Sequence, residues 1–335
     1  MNKDTFRWTL KKVIQLFPQK TNKELNRQGE MKIVYLFSGT YGDFVQCLEA
    51  LKLIKEEYPK SQIYIKAPFE YLKSFSFFLP EKICLINKKE LLKLPFQKAD
   101  LLFTNVLGVY RSLYDWIAYW GSVNSYGFCY GDELHRKAYG YCIRVKGIVR
   151  NYTDFNLDLI KESLGYSSSS VVILKTRVPQ KQKKIDVNVL FHIGSQGIKK
   201  KLGLVVYCQL LEKILLFLKE HSFSYSLIVG PGDGDIISQL KKQGEFDYHS
   251  YDLLELKEKI KRSNVVLCFD SFMPHFCYFL NKPALVLHHK KVPSGYNCAP
   301  LHKQIVLTKE SNPSLMELFQ ELESENEKVL GKRFP

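Results

Sequence analysis

Short apolar runs of strand length alternate with amphipathic stretches of helix length between Met31 and Phe128, and after a polar break the alternation restarts at Val187. Such alternation is the strongest constraint in this chain. Sequential strands separated by helices build parallel sheets with helices on both faces. The first half offers strands at Lys32 to Phe37, Gln62 to Lys66, Ile83 to Ile86, Asp100 to Thr104 and Val123 to Phe128. Helices are expected at Phe44 to Tyr58, around Tyr71 to Phe78, at Val109 to Trp120 and at Asn151 to Leu164, the last closed by Gly165. The second half offers strands at Val187 to His192, Ser224 to Val229, Val265 to Phe269 and Ala284 to His288. Helices are expected at Leu204 to Lys219, Leu253 to Lys261 and Met273 to Leu280, with a final one near Phe319. Gly194 to Gly203 reads as a glycine- and lysine-rich loop, and GPGDGD, following Val229, as a turn.

The expected organisation has five parts: a basic amphipathic helix and linker over 1–30, a Rossmann-like domain over 31–166, a linker over 167–186, a second Rossmann-like domain over 187–310, and a helix and tail over 311–335. A length of 335 residues suits two domains with a core each. In the first segment Phe6, Leu10, Val13, Ile14 and Phe17 recur at helical spacing, with Arg7, Lys11 and Lys12 opposite. Two readings of it stay open: it lies on an anionic membrane surface, or it packs on the protein body or a partner.

Forty-nine basic against 34 acidic residues give a net charge of +15, spread along the chain. The field attracts anions such as nucleotide-sugars, phosphorylated glycolipids and membrane surfaces, and it also serves solubility. No zinc-finger, RRM-type or helix-turn-helix pattern accompanies the charge, so nucleic acid is not an expected partner. The eight cysteines form no CxxC pair, which argues against a structural zinc site and for free thiols in a reducing compartment. No run reaches the roughly 18 apolar residues of a membrane span, and Lys11 and Lys12 break any signal-peptide core. The expectation is a cytoplasmic protein, either free or peripheral on the inner face of the membrane.

Three segments could carry chemistry. In FSGTYGDF a strand ends, the chain turns through Gly39 and Gly42, and a helix begins near Asp43. Thr40 and Gly42 would meet an acceptor, and Asp43 is either a helix cap or a general base at the mouth of the sheet. GxGxxG is absent, so this is not a dinucleotide fingerprint. In HIGSQGIKKKLG small residues and lysines follow a strand; the segment is either a solvated basic loop or a diphosphate cradle in which backbone amides and one lysine neutralise oxyanions. In VVLCFDSFMPHF an apolar strand runs into Asp270 and Ser271 at an N-cap, then Phe272 and, on the first helical turn, His275. His275 there is either a satisfied structural residue or part of a pyrophosphate site, which a helix N-terminus at the carboxyl end of a strand favours.

Together these segments resemble glycosyltransferase family nine, the ADP-heptose:lipopolysaccharide heptosyltransferases. SGTYGD resembles the family's small-residue turn ending in Gly-Asp; HIGSQGIKKKLG resembles its His-Pro-Gly-Ser and Lys-x-Trp-Pro segment; DSFMPH resembles its Asp-Ser/Thr-Gly-x-x-His signature. NYTDFNLDLIKESLGY resembles the helix that closes its first domain, and the likeness spans Met31 to about Pro300. The resemblance implies a GT-B architecture, two Rossmann-like parallel-sheet domains facing a cleft, and an inverting transferase that needs no metal or other cofactor. It implies that Asp43 is the general base, that Lys200 stabilises the departing diphosphate, and that Ser195, Asp270, Ser271, Phe272 and His275 form the donor-binding turns. The implied partners are a nucleotide-sugar donor and a lipid-linked or lipopolysaccharide acceptor. Leu202 and Gly203 stand where Trp-Pro is usual, Phe272 where a glycine is usual, and HHKKVPSGY replaces the family's segment after the last strand. A degenerate transferase fold kept for nucleotide-sugar binding or regulation is the alternative.

Overall fold

The computed structural model describes residues 22–23, 29–81, 83–87, 99–105, 118, 121–129, 141–144, 152–165, 188–242, 247–288, 302–306, 317–322 and 324. The chain divides into two compact units, Met1–Val172 and Ile173–Pro335. The amphipathic segment over 1–17, the expected helix over 109–120 apart from residue 118, and the basic stretch over 175–186 lie outside the described residues.

The first unit holds strands β1 (Lys32–Leu36), β2 (Gln62–Lys66), β3 (Ile83–Leu85), β4 (Ala99–Thr104), β5 (Ser122–Cys129) and β6 (Tyr141–Arg144). Its helices are α1 (Tyr41–Glu57), α2 (Phe69–Ser74) and α3 (Tyr152–Ser163), with a 3-10 turn at Ser76–Phe78. The six strands lie in the order β3-β2-β1-β4-β5-β6, every pair parallel. β1 is central: Ile33 pairs with Ile63 on one side and with Leu101 on the other. Helix α3 packs on α1. The buried Tyr35 hydroxyl of β1 donates to Asn156 Oδ1 at 3.1 Å, and Asn156 Nδ2 donates to the Gln46 carbonyl at 3.3 Å, tying sheet, α1 and α3 by satisfied polar groups.

The second unit repeats the plan. Its strands are β7 (Asn188–His192), β8 (Ser224–Ile228), β9 (Tyr248–His249), β10 (Val265–Phe269), β11 (Leu285–His288) and β12 (Lys303–Val306). Its helices are α4 (Gln196–Leu202), α5 (Leu204–Glu220), α6 (Gly234–Lys241), α7 (Leu253–Arg262) and α8 (Phe272–Phe279). The sheet order is β12-β11-β10-β7-β8-β9, again all parallel. Read from the β9 edge, it is the same topology as the first sheet. Every residue of β10 is buried, as expected of a strand with helices on both faces. Helix α5 sends Tyr207, Cys208, Leu211, Ile214, Leu215 and Leu218 inward at helical spacing, and the Tyr207 ring meets Phe269 at 5.0 Å.

The structure departs from the sequence reading in several places. The segment read as a loop from Gly194 contains α4, held by a serine cap described below. Helix α6 follows the GPGDGD turn and was not expected, nor were the edge strands β6, β9 and β12. The helix expected over Tyr71 to Phe78 is α2 plus the 3-10 turn.

Candidate active site

In sheets of this order the direction of chain progression reverses between β1 and β4, and between β10 and β7. Ligands bind at such reversals, beyond the carboxyl ends of the strands. Each unit therefore has one preferred position for chemistry, and the sequence-derived residues fall on both.

In the first unit β1 ends and the chain turns into α1. Thr40 is the N-cap of that helix, Gly42 is buried in its first turn, and Asp43 is its N3 residue. The half-buried Asp43 carboxylate turns back. Its Oδ2 accepts from the Thr40 N–H at 2.6 Å and from the Thr40 hydroxyl at 2.9 Å. It is thus a helix cap by geometry, and also a fixed, partly exposed carboxylate at the reversal point. Gly39 makes this possible: a Cβ there would lie 2.6 Å from both Cβ and Oδ2 of Asp43, and its φ of 156° is one that L side chains rarely adopt. Across the reversal, the Ser38 N–H donates to Asn105 Oδ1 at 2.8 Å and Asn105 Nδ2 donates to the Ser38 carbonyl at 3.2 Å. The reciprocal pair locks the β1 turn to the end of β4. An aromatic wall backs the turn, with Tyr41 and Tyr71 at 4.7 Å and Phe44 and Phe75 at 5.4 Å between ring centroids.

In the second unit Ser195 is buried. Its hydroxyl accepts from the Ile198 N–H, capping α4, and donates to the Asp270 carbonyl at 2.8 Å. Ser195 therefore joins the β7–α4 turn to the β10–α8 turn across the second reversal. Ser271 caps α8 by accepting from the Met273 N–H at 3.3 Å, and its oxygen lies 3.5 Å from Nδ1 of His192. Burial pushes the His192 imidazole down to about 4, so the ring is neutral at ordinary pH. Asp270 Oδ2 lies 3.7 Å from Nδ1 of the buried His288. Phe272 occupies the first position of α8; its half-buried ring meets His192 edge-on at 6.3 Å and stacks on Phe276 at 5.5 Å.

The lysines of α4 are not equivalent. Lys199 pairs with Asp235, its Nζ 3.0 Å from both carboxylate oxygens. Lys200 is exposed and makes no ion pair among the described residues, which leaves its charge available to an anion. His275 is half-buried on the first turn of α8, near His302. His302 Nε2 lies 2.7 Å from the Pro274 carbonyl and Nδ1 accepts from the Ala284 N–H, so Nε2 carries the proton. Burial holds His302 at about 4.

The structure thus brings Thr40, Gly42 and Asp43 together at one reversal, and Ser195, Asp270, Ser271 and Phe272 at the other, with Lys200 and His275 each on the helix that leaves it. Sequence reasoning missed Asn105, His192 and the support of the β7–α4 turn. That support is Asp233, whose carboxylate accepts from the Gly230 N–H at 2.7 Å and sits where a Cβ on Gly194 would be, 2.3 Å from its Oδ2. Burial raises the Asp233 carboxyl above its ordinary value, opposed by the Gly230 N–H and the Lys199 charge. The repeated glycine and acid letters of GPGDGD were the available signal. Among the described residues, no group of three or more His, Cys, Asp or Glu side chains could hold a metal ion.

No protein-family profile and no curated protein sequence matches the chain. Solved structures do. A glycosyl transferase of family 9 from Veillonella parvula matches 90% of this chain and 97% of its own, with a TM-score of 0.61 and 15% identity. The heptosyltransferase WaaC of E. coli, solved with ADP, matches 88% of this chain and 100% of its own, at a TM-score of 0.61 and 14% identity. S. aureus MnaA, solved with UDP, matches 90% of this chain and 91% of its own, at 0.52 and 14%. At these identities the likeness establishes the fold alone: two parallel-sheet α/β units of the GT-B class, as in family nine heptosyltransferases.

Proposed function

We propose that this chain is an inverting, metal-independent glycosyltransferase that moves a heptose or similar sugar from a nucleotide-sugar to a lipopolysaccharide-core or other cell-surface glycan acceptor. The observation that carries the reading is the pairing of contents at the two reversal points. One offers a fixed carboxylate, Asp43. The other offers a capped helix start at Ser271 and, on α4, an uncommitted lysine. WaaC, which shares the fold, binds ADP.

The chemistry follows from those groups. An acceptor hydroxyl is a weak nucleophile until its proton is leaving, and Asp43 takes that proton while the oxygen bonds to the anomeric carbon. The bond from that carbon to the diphosphate oxygen breaks on the opposite face, so the configuration inverts. The charge that collects on the diphosphate is met by Lys200 and by the N–H groups that open α8. Ser195, Asp270 and the His192–Ser271 contact keep that anion site in shape rather than carrying a proton. Thr40 and Gly42 line the acceptor side.

A second reading is favoured by one observation. The Phe272 ring lies beside His192 where the family resemblance calls for glycine, which suits a protein that binds nucleotide-sugars without transferring them. Lys290 and Lys291, which could contribute phosphate contacts, lie outside the described residues. A thermal-shift panel of ADP-, UDP-, GDP- and CMP-sugars, followed by a transfer and hydrolysis assay on each stabilising ligand, separates the readings. Stabilisation with turnover supports the transferase; stabilisation without turnover supports the binding protein; no stabilisation by any nucleotide-sugar contradicts both.

A further inference from the structure

The rings behind the Asp43 turn differ in chemistry with depth. Phe37, Phe44 and Phe75 are buried, whereas Tyr41 and Tyr71 are half-buried. Phenylalanines form the floor of the cluster and tyrosines its rim. Tyr71 of α2 is fixed there: its ring centroid lies 4.7 Å from that of Tyr41, 5.7 Å from Phe44 and 6.0 Å from Phe37. The Phe75 N–H donates to the Tyr71 carbonyl at 2.9 Å, and the Phe37 N–H donates to the Lys66 carbonyl at 3.0 Å, so α2 adjoins the turn that carries Asp43. Among the described residues the Tyr71 hydroxyl makes no hydrogen bond. Burial raises its phenol above the ordinary value, and Tyr41, Asp43 and Glu70 add to the shift. The hydroxyl is therefore protonated at neutral pH and lies within the field of the Asp43 carboxylate.

We infer that Tyr71 binds the acceptor sugar and selects among its hydroxyls: the phenol hydrogen-bonds a second hydroxyl of the same sugar whose attacking hydroxyl meets Asp43. The inference rests on the transferase reading. A tyrosine at the rim of an apolar cluster is ordinary, with its body buried and its tip wet. This one differs in holding an uncommitted hydroxyl beside the proposed base. A carboxylate alone grips one hydroxyl of a polyol and leaves the ring free to swing about that contact. A second fixed partner decides which ring position is presented, and orientation of that kind is worth much of a barrier. A phenol both donates and accepts, so it suits a sugar hydroxyl, whereas the ionised carboxylate only accepts. A site that hydrogen-bonds a substrate hydroxyl also rejects the analogue that lacks it, which makes Tyr71 a specificity residue rather than a proton carrier.

The test uses the full chain and needs no turnover. Saturation-transfer NMR and calorimetric titration are run with a lipopolysaccharide-core oligosaccharide freed of its lipid, with methyl hexopyranosides and with their monodeoxy analogues. Tyr71→Phe keeps the ring and its packing and removes only the hydroxyl. It is expected to weaken glycan binding about three- to tenfold, the scale of one neutral hydrogen bond, with melting temperature and nucleotide-sugar affinity unchanged. For the one monodeoxy analogue that lacks the hydroxyl met by Tyr71, wild type and variant are expected to bind alike, a result that altered packing does not give. Equal binding of the parent glycans by wild type and Tyr71→Phe, the same loss for every monodeoxy analogue, or no glycan binding by wild type overturns the inference. A lowered melting temperature with a matching loss of nucleotide-sugar affinity overturns it too, in favour of a packing role. The transferase reading stands or falls by nucleotide-sugar turnover, which none of these outcomes reads.

Discussion

The Asp43 carboxylate fills the space that a side chain on Gly39 would need: a Cβ on Gly39 would lie 2.6 Å from Asp43 Oδ2. The carboxylate can lie back over the turn only because residue 39 is glycine. Gly39→Ala is therefore expected to displace the carboxylate without removing it, and to lower turnover by about a hundredfold, the scale of a misplacement near 1 Å. Steady-state kinetics beside a melting curve checks this. Full turnover in a folded Gly39→Ala protein would mean that the observed carboxylate position has no role.

Gly194 stands in the same relation to Asp233, with a Cβ 2.3 Å from Oδ2. Gly194→Ala should disturb the β7–α4 turn and weaken nucleotide-sugar affinity at least about tenfold, while leaving the first unit untouched. Calorimetric titration reads the change.

Lys199 and Lys200 of α4 should separate experimentally. Lys199→Ala removes an ion pair with the half-exposed Asp235 and is expected to change stability by less than about 1 kcal/mol. Lys200→Ala removes a charge available to a diphosphate and should weaken donor binding about tenfold or more with unchanged stability. Donor affinity reduced more by Lys199→Ala than by Lys200→Ala would exchange their roles.

Two buried histidines set an acid limit. His192 and His302 are both held at about 4, below the ordinary histidine value, so the unfolded chain binds more protons between about pH 6.5 and 4. Stability present at neutral pH is then lost as pH falls through that window, with a slope of up to about 1.4 kcal/mol per pH unit from each histidine. His302→Gln should reduce the slope, measured by urea unfolding at several pH values. An unchanged slope would show that His302 is not held neutral.

How much of this was legible in the sequence depends on the range of the interactions involved. Strands β1, β7 and β10 are continuous apolar runs bounded by turn residues, because both faces are covered, and they were readable as such. Asp43 was readable as a site because strand, turn and helix follow one another locally. Helix α4 was not, since QGIKKKL buries only Ile198 and is held by tertiary ties from Ser195 to Asp270 and from Lys199 to Asp235. Helix α6 is short and follows a glycine-rich turn that masks its start, and β9 is a two-residue exposed edge strand with no apolar pattern. Asn105 escaped notice because its partner Ser38 is 67 residues away, and pairing at that separation follows from the strand order rather than from any local pattern.

The most direct test of the account is Asp43→Asn. The substitution keeps an oxygen that can accept from Thr40, so the cap on α1 survives, but it removes the base. Turnover is expected to fall at least about a hundredfold, within the range general-base catalysis contributes, while nucleotide-sugar affinity stays within a few-fold, as befits an interaction made only in the transition state. Steady-state kinetics paired with calorimetric binding decides the matter. Near-normal turnover in Asp43→Asn would show that Asp43 is a helix cap alone and would contradict the proposed mechanism.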